Sequence, residues 1–310
     1  MNTAFIFPGQ ASQYVGMGRD LVSEFPEALE TFDQADGVLG FPLSKLCFEG
    51  PEAILTDTIN TQPALLTHSI ASLRVFQSHS PEQRPAFVAG HSMGEFAALV
   101  AAGAVEFPDA LILIRERGRV MKSAGQRMPG MMAAVLGMDD QALEEICLSA
   151  GVQIANYNAP GQIVISGPKE GMEHAIALTK SRGAKRTVPL AVSIAAHSIC
   201  MESGVAEFAG AVARTPVRTP TVPVVSNVTA RPLHTVEEIR QELVAQLTSS
   251  VQWVRSIEYM IEQGVAQFVE LGPKDVLAGL VRRINKQVRA ISVGDVASVK
   301  AFAGPLSGGA

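Results

Sequence analysis

Gly90-His91-Ser92-Met93-Gly94 sets one hydroxyl between two glycines. This is the spacing of a nucleophile elbow, a turn so tight that the serine is left projecting alone. A serine so placed attacks carbonyl carbon, which points to acyl transfer through a covalent acyl-enzyme. Met93 opens a helix-like run, so its N–H is an expected donor to the developing oxyanion. Gln10, after Phe7-Pro8-Gly9, is the candidate for a second N–H donor. The hydroxyl also needs a base, and besides His91 the chain offers His68, His79, His174, His197 and His234. His68, His79 and His174 fall in helix-like runs or a polar loop, and His234 in a turn-like segment. His197 lies where a small subdomain would hand back to a large one, and crevices of that kind hold substrates. On spacing alone it is either the base or a histidine packed in an apolar stretch.

The elements that must position these groups alternate between strand-like and helix-like runs, which predicts an α/β protein. Thr3–Phe7 and Ala86–Ala89 read as buried strands, the second leading straight into Ser92. Ala64–Phe76, Met93–Ala102 and Pro108–Ser123 read as helices. From Met131 to Val192 the order becomes βαββαβ: strands at Met131–Gly137, Val152–Asn156, Gln162–Ser166 and Arg186–Val192, with helices at Asp139–Ala150 and Lys169–Arg182. That order is ferredoxin-like. We therefore expect a large α/β catalytic subdomain over residues 1–125 and 194–310, with a small subdomain inserted at 126–193. Further strands (Pro223–Ser226, Ala266–Leu271, Val288–Val293) and helices (Val236–Leu247, Trp253–Gln263, Val276–Asn285) complete the large unit. Pro216 to Pro223 reads as a linker, and the Gly- and Ser-rich tail from Gly304 to Ala310 as frayed.

Composition narrows the classes. The 310 residues are 47% apolar with a formal net charge of -5. That supports a large core and excludes the basic footprint of a nucleic-acid binder. The longest apolar stretch, around Phe96 to Val105, is far short of the roughly 20 residues of a membrane span. Cys47, Cys147 and Cys200 are scattered and odd in number, as in a reducing compartment, with no metal-ligand spacing. A cytoplasmic, monomeric protein that needs no metal or cofactor is the expectation.

The order of short motifs is more specific than any one of them. Phe7-Pro8-Gly9-Gln10-Ala11-Ser12-Gln13, Gln62-Pro63-Ala64-Leu65, Gly90-His91-Ser92-Met93-Gly94-Glu95-Phe96 and Arg117-Gly118-Arg119 come first. Gln162-Ile163-Val164-Ile165-Ser166-Gly167, His197-Ser198, Ser226-Asn227-Val228, Val251-Gln252-Trp253 and Glu270-Leu271-Gly272-Pro273 follow. Together, from about residue 3 to residue 293, they resemble malonyl-CoA:acyl carrier protein transacylases and the related acyltransferases of polyketide synthases. The resemblance implies an α/β-hydrolase-like large subdomain with a parallel-sheet core and a ferredoxin-like insert. It also implies ping-pong transfer of malonyl from CoA to the phosphopantetheine thiol of an acyl carrier protein, with malonyl-CoA as substrate rather than cofactor.

In this reading Ser92 is the nucleophile, His197 the base and acid, and Gln252 the residue whose backbone carbonyl orients His197. Gln10 and Met93 are the oxyanion donors. Arg117 and His91 form the substrate set, with Arg117 on the free carboxylate. Without the resemblance, Arg117 within Arg115-Glu116-Arg117 would be a charge on a solvated helix face. An acyl hydrolase of the same fold is the alternative function. Ile194-Ala195-Ala196-His197 matches neither His-Ala-Phe-His nor Tyr-Ala-Ser-His, so it leaves the choice between malonyl and methylmalonyl open.

Overall fold

The computed structural model describes residues 2–190, 192 and 194–303. β1 (Asn2–Phe7) opens the chain. The helices α1 (Arg19–Glu24), α2 (Pro26–Leu39), α3 (Leu43–Glu49) and α4 (Glu52–Leu55) lead into the long α5 (Thr58–His79). β2 (Pro85–Gly90), α6 (Gly94–Ala101) and α7 (Phe107–Arg127) follow. Next come β3 (Gly130–Leu136), α8 (Asp140–Ala150), β4 (Gln153–Ala159), β5 (Gln162–Pro168), α9 (Lys169–Ser181) and β6 (Arg186–Pro189). The chain returns through α10 (Glu202–Arg214), β7 (Val224–Val225), β8 (Pro232–Leu233), α11 (Val236–Ala245) and α12 (Trp253–Glu262). It ends with β9 (Val265–Leu271), α13 (Val276–Ile284), β10 (Arg289–Val293) and α14 (Val296–Ala303).

Among the described residues, ten strands form two sheets. The larger runs β10-β9-β1-β2-β7-β8, parallel throughout except for the β7–β8 pair. Ala4, Phe5, Ile6 and Phe7 of β1 are all fully buried, as a strand covered on both faces requires. One face carries Leu65, Phe76, Phe96 and Leu111 from α5, α6 and α7. The other carries Trp253, Ile257, Leu277 and Val281 from α12 and α13. β1 and β2 both deliver their carboxyl ends to the same edge, where ligands of open α/β sheets bind.

The smaller sheet runs β4-β5-β3-β6, antiparallel throughout, which is the ferredoxin-like strand order. Leu143 and Ile146 of α8 and Met172 and Ala175 of α9 cover one face together with Ile154, Ile163 and Ile165. Its edge strand β4 is stitched to the large unit: the Val251 N–H donates to Ala155 O at 2.8 Å, and the Tyr157 N–H to Val251 O at 3.0 Å. The strand expected to reach Val192 stops at Pro189, just beyond which Leu190 N–H still donates to Met132 O. Ala191 lies outside the described residues, as does the tail from Gly304. The stretch Pro216 to Pro223 joins α10 to β7 without regular structure.

Candidate active site

The elbow depends on missing side chains. A Cβ on Gly90 would come 2.0 Å from the Gly94 backbone, and one on Gly94 would come 2.2 Å from Phe7 O. Only glycine fits at either position, and the resulting turn holds Ser92 at φ 51, in the left-handed region. Asn227, just past β7, fastens the turn. Its Oδ1 accepts from the Ser92 N–H at 2.8 Å and its Nδ2 donates to Gly90 O at 2.8 Å. The Ser92 N–H is thereby spent. Among the described residues, the N–H groups of Met93 and Gln10 have no protein acceptor and stay free for an oxyanion. The His91 N–H donates to Phe7 O at 3.0 Å, which lays the Pro8–Gln10 turn against the elbow.

Ser92 Oγ lies 2.8 Å from His197 Nε2. The ring's other nitrogen, Nδ1, donates to Gln246 O at 2.8 Å and Ser249 O at 3.2 Å. Carbonyls only accept, so Nδ1 carries the proton and the Nε2 lone pair faces the serine. His197 is buried, and desolvation followed by the positive Arg117 pushes its pKa down to about 3. The ring is neutral at physiological pH and ready to take a proton.

Gln252, expected to hold this histidine, does not. It stands before α12, where its carbonyl accepts from Ser256 N–H at 2.9 Å and its N–H donates to Asn227 O at 2.7 Å. The carbonyls that reach His197 come from the turn after α11. That turn presents Gln246, Leu247 and Ser249 to the histidine in succession, with Leu247 O taking the His197 N–H at 3.1 Å. Gln252 is one turn too far along the chain to share in this.

Arg117 is 1% exposed, so it does not sit on a solvated face. On α7 it follows Ala110, Leu113 and Ile114 and precedes Val120, Met121 and Ala124, all buried, at helical spacing. Its guanidinium donates to Gln62 Oε1 and Gln246 Oε1, both at 2.8 Å, and to Ser92 Oγ at 3.3 Å. The Nε hydrogen has no partner among the described residues, and none of the salt bridges there involves Arg117. Burial lowers its pKa to about 10, so it keeps its charge. A full positive charge therefore stands beside the nucleophile, held by neutral amides.

His91, the other residue assigned to substrate, turns away from the serine. Its Nε2–H donates to Asn158 Oδ1 of β4 at 2.8 Å, and its ring meets the Trp253 ring edge-on at 5.5 Å. Gln10 reaches the network through its side chain too, accepting from Thr58 Oγ1 at 3.4 Å. Glu95, Gln246 and Glu242 were not singled out by sequence reasoning. Glu95 lay inside a quoted motif, but nothing in the local pattern of the other two marks them. A separate cavity of about 800 Å³, lined by Leu39, Ile112, Arg119 and Arg214, opens beside α7 and is lined by neither Ser92, His197 nor Arg117.

Comparison with known proteins fits this geometry. The sequence profile of the acyl transferase domain matches residues 4–301. The chain belongs to that family. It is 43% identical to the malonyl CoA-acyl carrier protein transacylase of Haemophilus influenzae, over 96% of this chain and 97% of that one. To the transacylase of the same description from Bacillus subtilis it is 44% identical, over 96% and 95%. A solved acyl carrier protein S-malonyltransferase from Vibrio cholerae superposes with a TM-score of 0.94 at 40% identity, covering 97% of this chain and 100% of that one. A malonyl-transacylase solved in complex with a type II polyketide acyl-carrier protein superposes at 0.92 and 39% identity, covering 96% and 98%. Among the described residues of this family member, no helix is long and apolar enough to cross a membrane, and no cluster of three metal-ligating side chains occurs.

Proposed function

We propose that this acyl transferase moves malonyl from CoA to the phosphopantetheine thiol of an acyl carrier protein, by way of a Ser92 ester. The observation that carries the reading is Arg117, a buried cation with one N–H unused, 3.3 Å from the nucleophile. A guanidinium so placed makes a charge-assisted contact with a free carboxylate that acetyl or longer neutral acyl groups cannot return.

The steps follow from the geometry. Ser92 Oγ attacks the thioester carbon and its proton passes to His197 Nε2. The tetrahedral oxygen gains its negative charge facing the Met93 and Gln10 N–H groups. The C–S bond then breaks, and the CoA sulfur takes the proton from His197. In the second half the carrier thiol gives its proton to His197 and attacks the ester carbonyl. Collapse breaks the C–Oγ bond and returns the proton to Ser92.

An acyl hydrolase of the same fold would gain nothing from Arg117. Malonyl-, methylmalonyl- and acetyl-CoA labelling followed by intact mass tests the reading. Malonyl should form the adduct fastest and pass to carrier protein, whereas free acid released as fast as it is transferred would favour the hydrolase. A monomer is part of this reading, and light scattering would test it. The three free, buried thiols suit a cytoplasmic location. Lys180, Arg182, Lys185 and Arg186 are exposed on the small subdomain, as are Arg282, Arg283 and Lys286 on or just after α13. Arg283 is already bonded to Gln162 and Arg282 to Ala290 O. The first cluster is thus the freer surface for an acidic carrier. Charge reversal there should raise the KM for carrier protein and leave malonyl-CoA labelling alone.

A further inference from the structure

Two buried carboxyl groups adjoin the site, and none of the steps above uses them. Glu95, in the first turn of α6, is fully covered. One of its oxygens accepts from the Asn227 backbone N–H at 2.9 Å and from Asn227 Nδ2 at 2.8 Å. The other accepts from Gln246 Nε2 at 2.5 Å. Glu242 of α11 accepts from Ser226 Oγ at 2.6 Å and the Val228 N–H at 3.0 Å, and its carboxyl lies close enough to Glu95 for the two charges to interact. Burial and the other carboxyl raise the pKa of Glu95, and burial raises that of Glu242. Two buried carboxyl groups side by side each disfavour the other's ionised form.

Both amide partners of Glu95 touch a reacting group. Asn227 holds the Ser92 N–H and the Gly90 carbonyl. Gln246 holds three things at once: Arg117 through Oε1, the Ser92 carbonyl through Nε2 at 3.2 Å, and His197 through its backbone oxygen. The amide of Gln246 must keep its oxygen toward Arg117 and its NH₂ toward Glu95. Turned over, it would set NH₂ against guanidinium. The acceptor at the Glu95 position, closer than the Ser92 carbonyl, enforces the right orientation.

We propose that Glu95 is a positioning residue for malonyl transfer, acting through Gln246 and Asn227 to hold the Arg117 fork in register with the Ser92 elbow. This rests on the malonyl reading of Arg117 given above. Glu95→Gln keeps the shape but puts an NH₂ where Gln246 or Asn227 needs an acceptor. Rates of Ser92 labelling by malonyl-CoA and acetyl-CoA, read by intact mass, would be compared for wild type, E95Q, R117A and the E95Q/R117A double variant.

E95Q should lower the malonyl-over-acetyl preference by about tenfold or more, and the same change on the R117A background should leave the preference where R117A put it. A purely structural Glu95 would lower the melting temperature with the preference intact, and that result would overturn the proposal. So would an equal loss of preference with Arg117 absent. If E95Q does not fold, Gln246→Met removes the relay amide while keeping the carbonyl on His197. An unchanged preference there would be equally fatal. A wild-type enzyme without malonyl preference would count instead against the reading of Arg117.

Discussion

The interior of the small subdomain and the interior around Ser92 are built on opposite principles. Between α8, α9 and the antiparallel sheet the core is aliphatic, with Leu143, Ile146, Ile154, Ile163, Ile165 and Met172 in contact. Between the two apolar layers of the large subdomain runs a seam of buried polar groups: Gln62, Glu95, Arg117, His197, Asn227, Glu242 and Gln246. The first interior holds its shape by apolar burial, which is non-directional and tolerant of volume-conserving change. The second holds its shape by hydrogen bonds whose donors and acceptors must each be matched. One interior only packs and the other also does chemistry, and substitutions should separate the two.

The largest effect should come from Ser92→Ala, which removes the acyl adduct and lowers turnover by about a million-fold. Intact mass after malonyl-CoA treatment checks it. Arg117→Met should lower kcat/KM for malonyl-CoA by about a hundred- to a thousand-fold while sparing acetyl-CoA. Ile165→Ala reverses the pattern: about 2–5 kcal/mol lost by chemical denaturation, with kcat/KM per folded molecule little changed.

A smaller contrast lies in pH dependence. Burial holds His197 at about 3 and His68 at about 4, against 6.5 when unfolded. Below 6.5 the unfolded chain binds protons that the folded chain refuses, so stability falls as pH drops from 6.5 toward 4. The rate of acyl-enzyme formation should show no step near 6.5, because His197 is still neutral. Thermal melts and labelling rates over the same pH series would separate the two. Smallest of all is Gln252→Ala, expected to change kcat by about threefold or less, since the Gln252 contacts described above are backbone ones that alanine keeps. A loss comparable to that of Arg117→Met would instead give the Gln252 side chain a part in the site.

The fold was legible because apolar periodicity is a local signal. The βαββαβ order came from alternation and turn residues alone, and the sheet pairs as that order implies. The elbow was legible for the same reason, two glycines and a serine within five residues. Arg117 was ambiguous by charge, though its register with Leu113, Ile114 and Met121 is helical and buried, a cue that the adjacent Arg115, Glu116 and Arg119 obscured. Gln246 could not be found by pattern. Its contribution to His197 is a backbone carbonyl, which any residue type supplies, and its position is set by a turn pinned through Ser250 and Val251 to β4. Glu242 reads from sequence as one more acid on an amphipathic helix.

His197 is held by two neutral carbonyls where a triad would place a carboxylate. The imidazolium formed in each half-reaction therefore has no counterion at its back and a guanidinium close by. As a base it is weak, and a weak base selects among acceptors by their acidity. A thiol, which ionises near pH 8.5, surrenders its proton to such a ring readily. Water, near 15.7, is as reluctant as the Ser92 hydroxyl and lacks the fixed 2.8 Å contact with Nε2 that activates the serine. Withholding one negative charge thus makes the malonyl ester patient, waiting for sulfur in a solution that is almost entirely water.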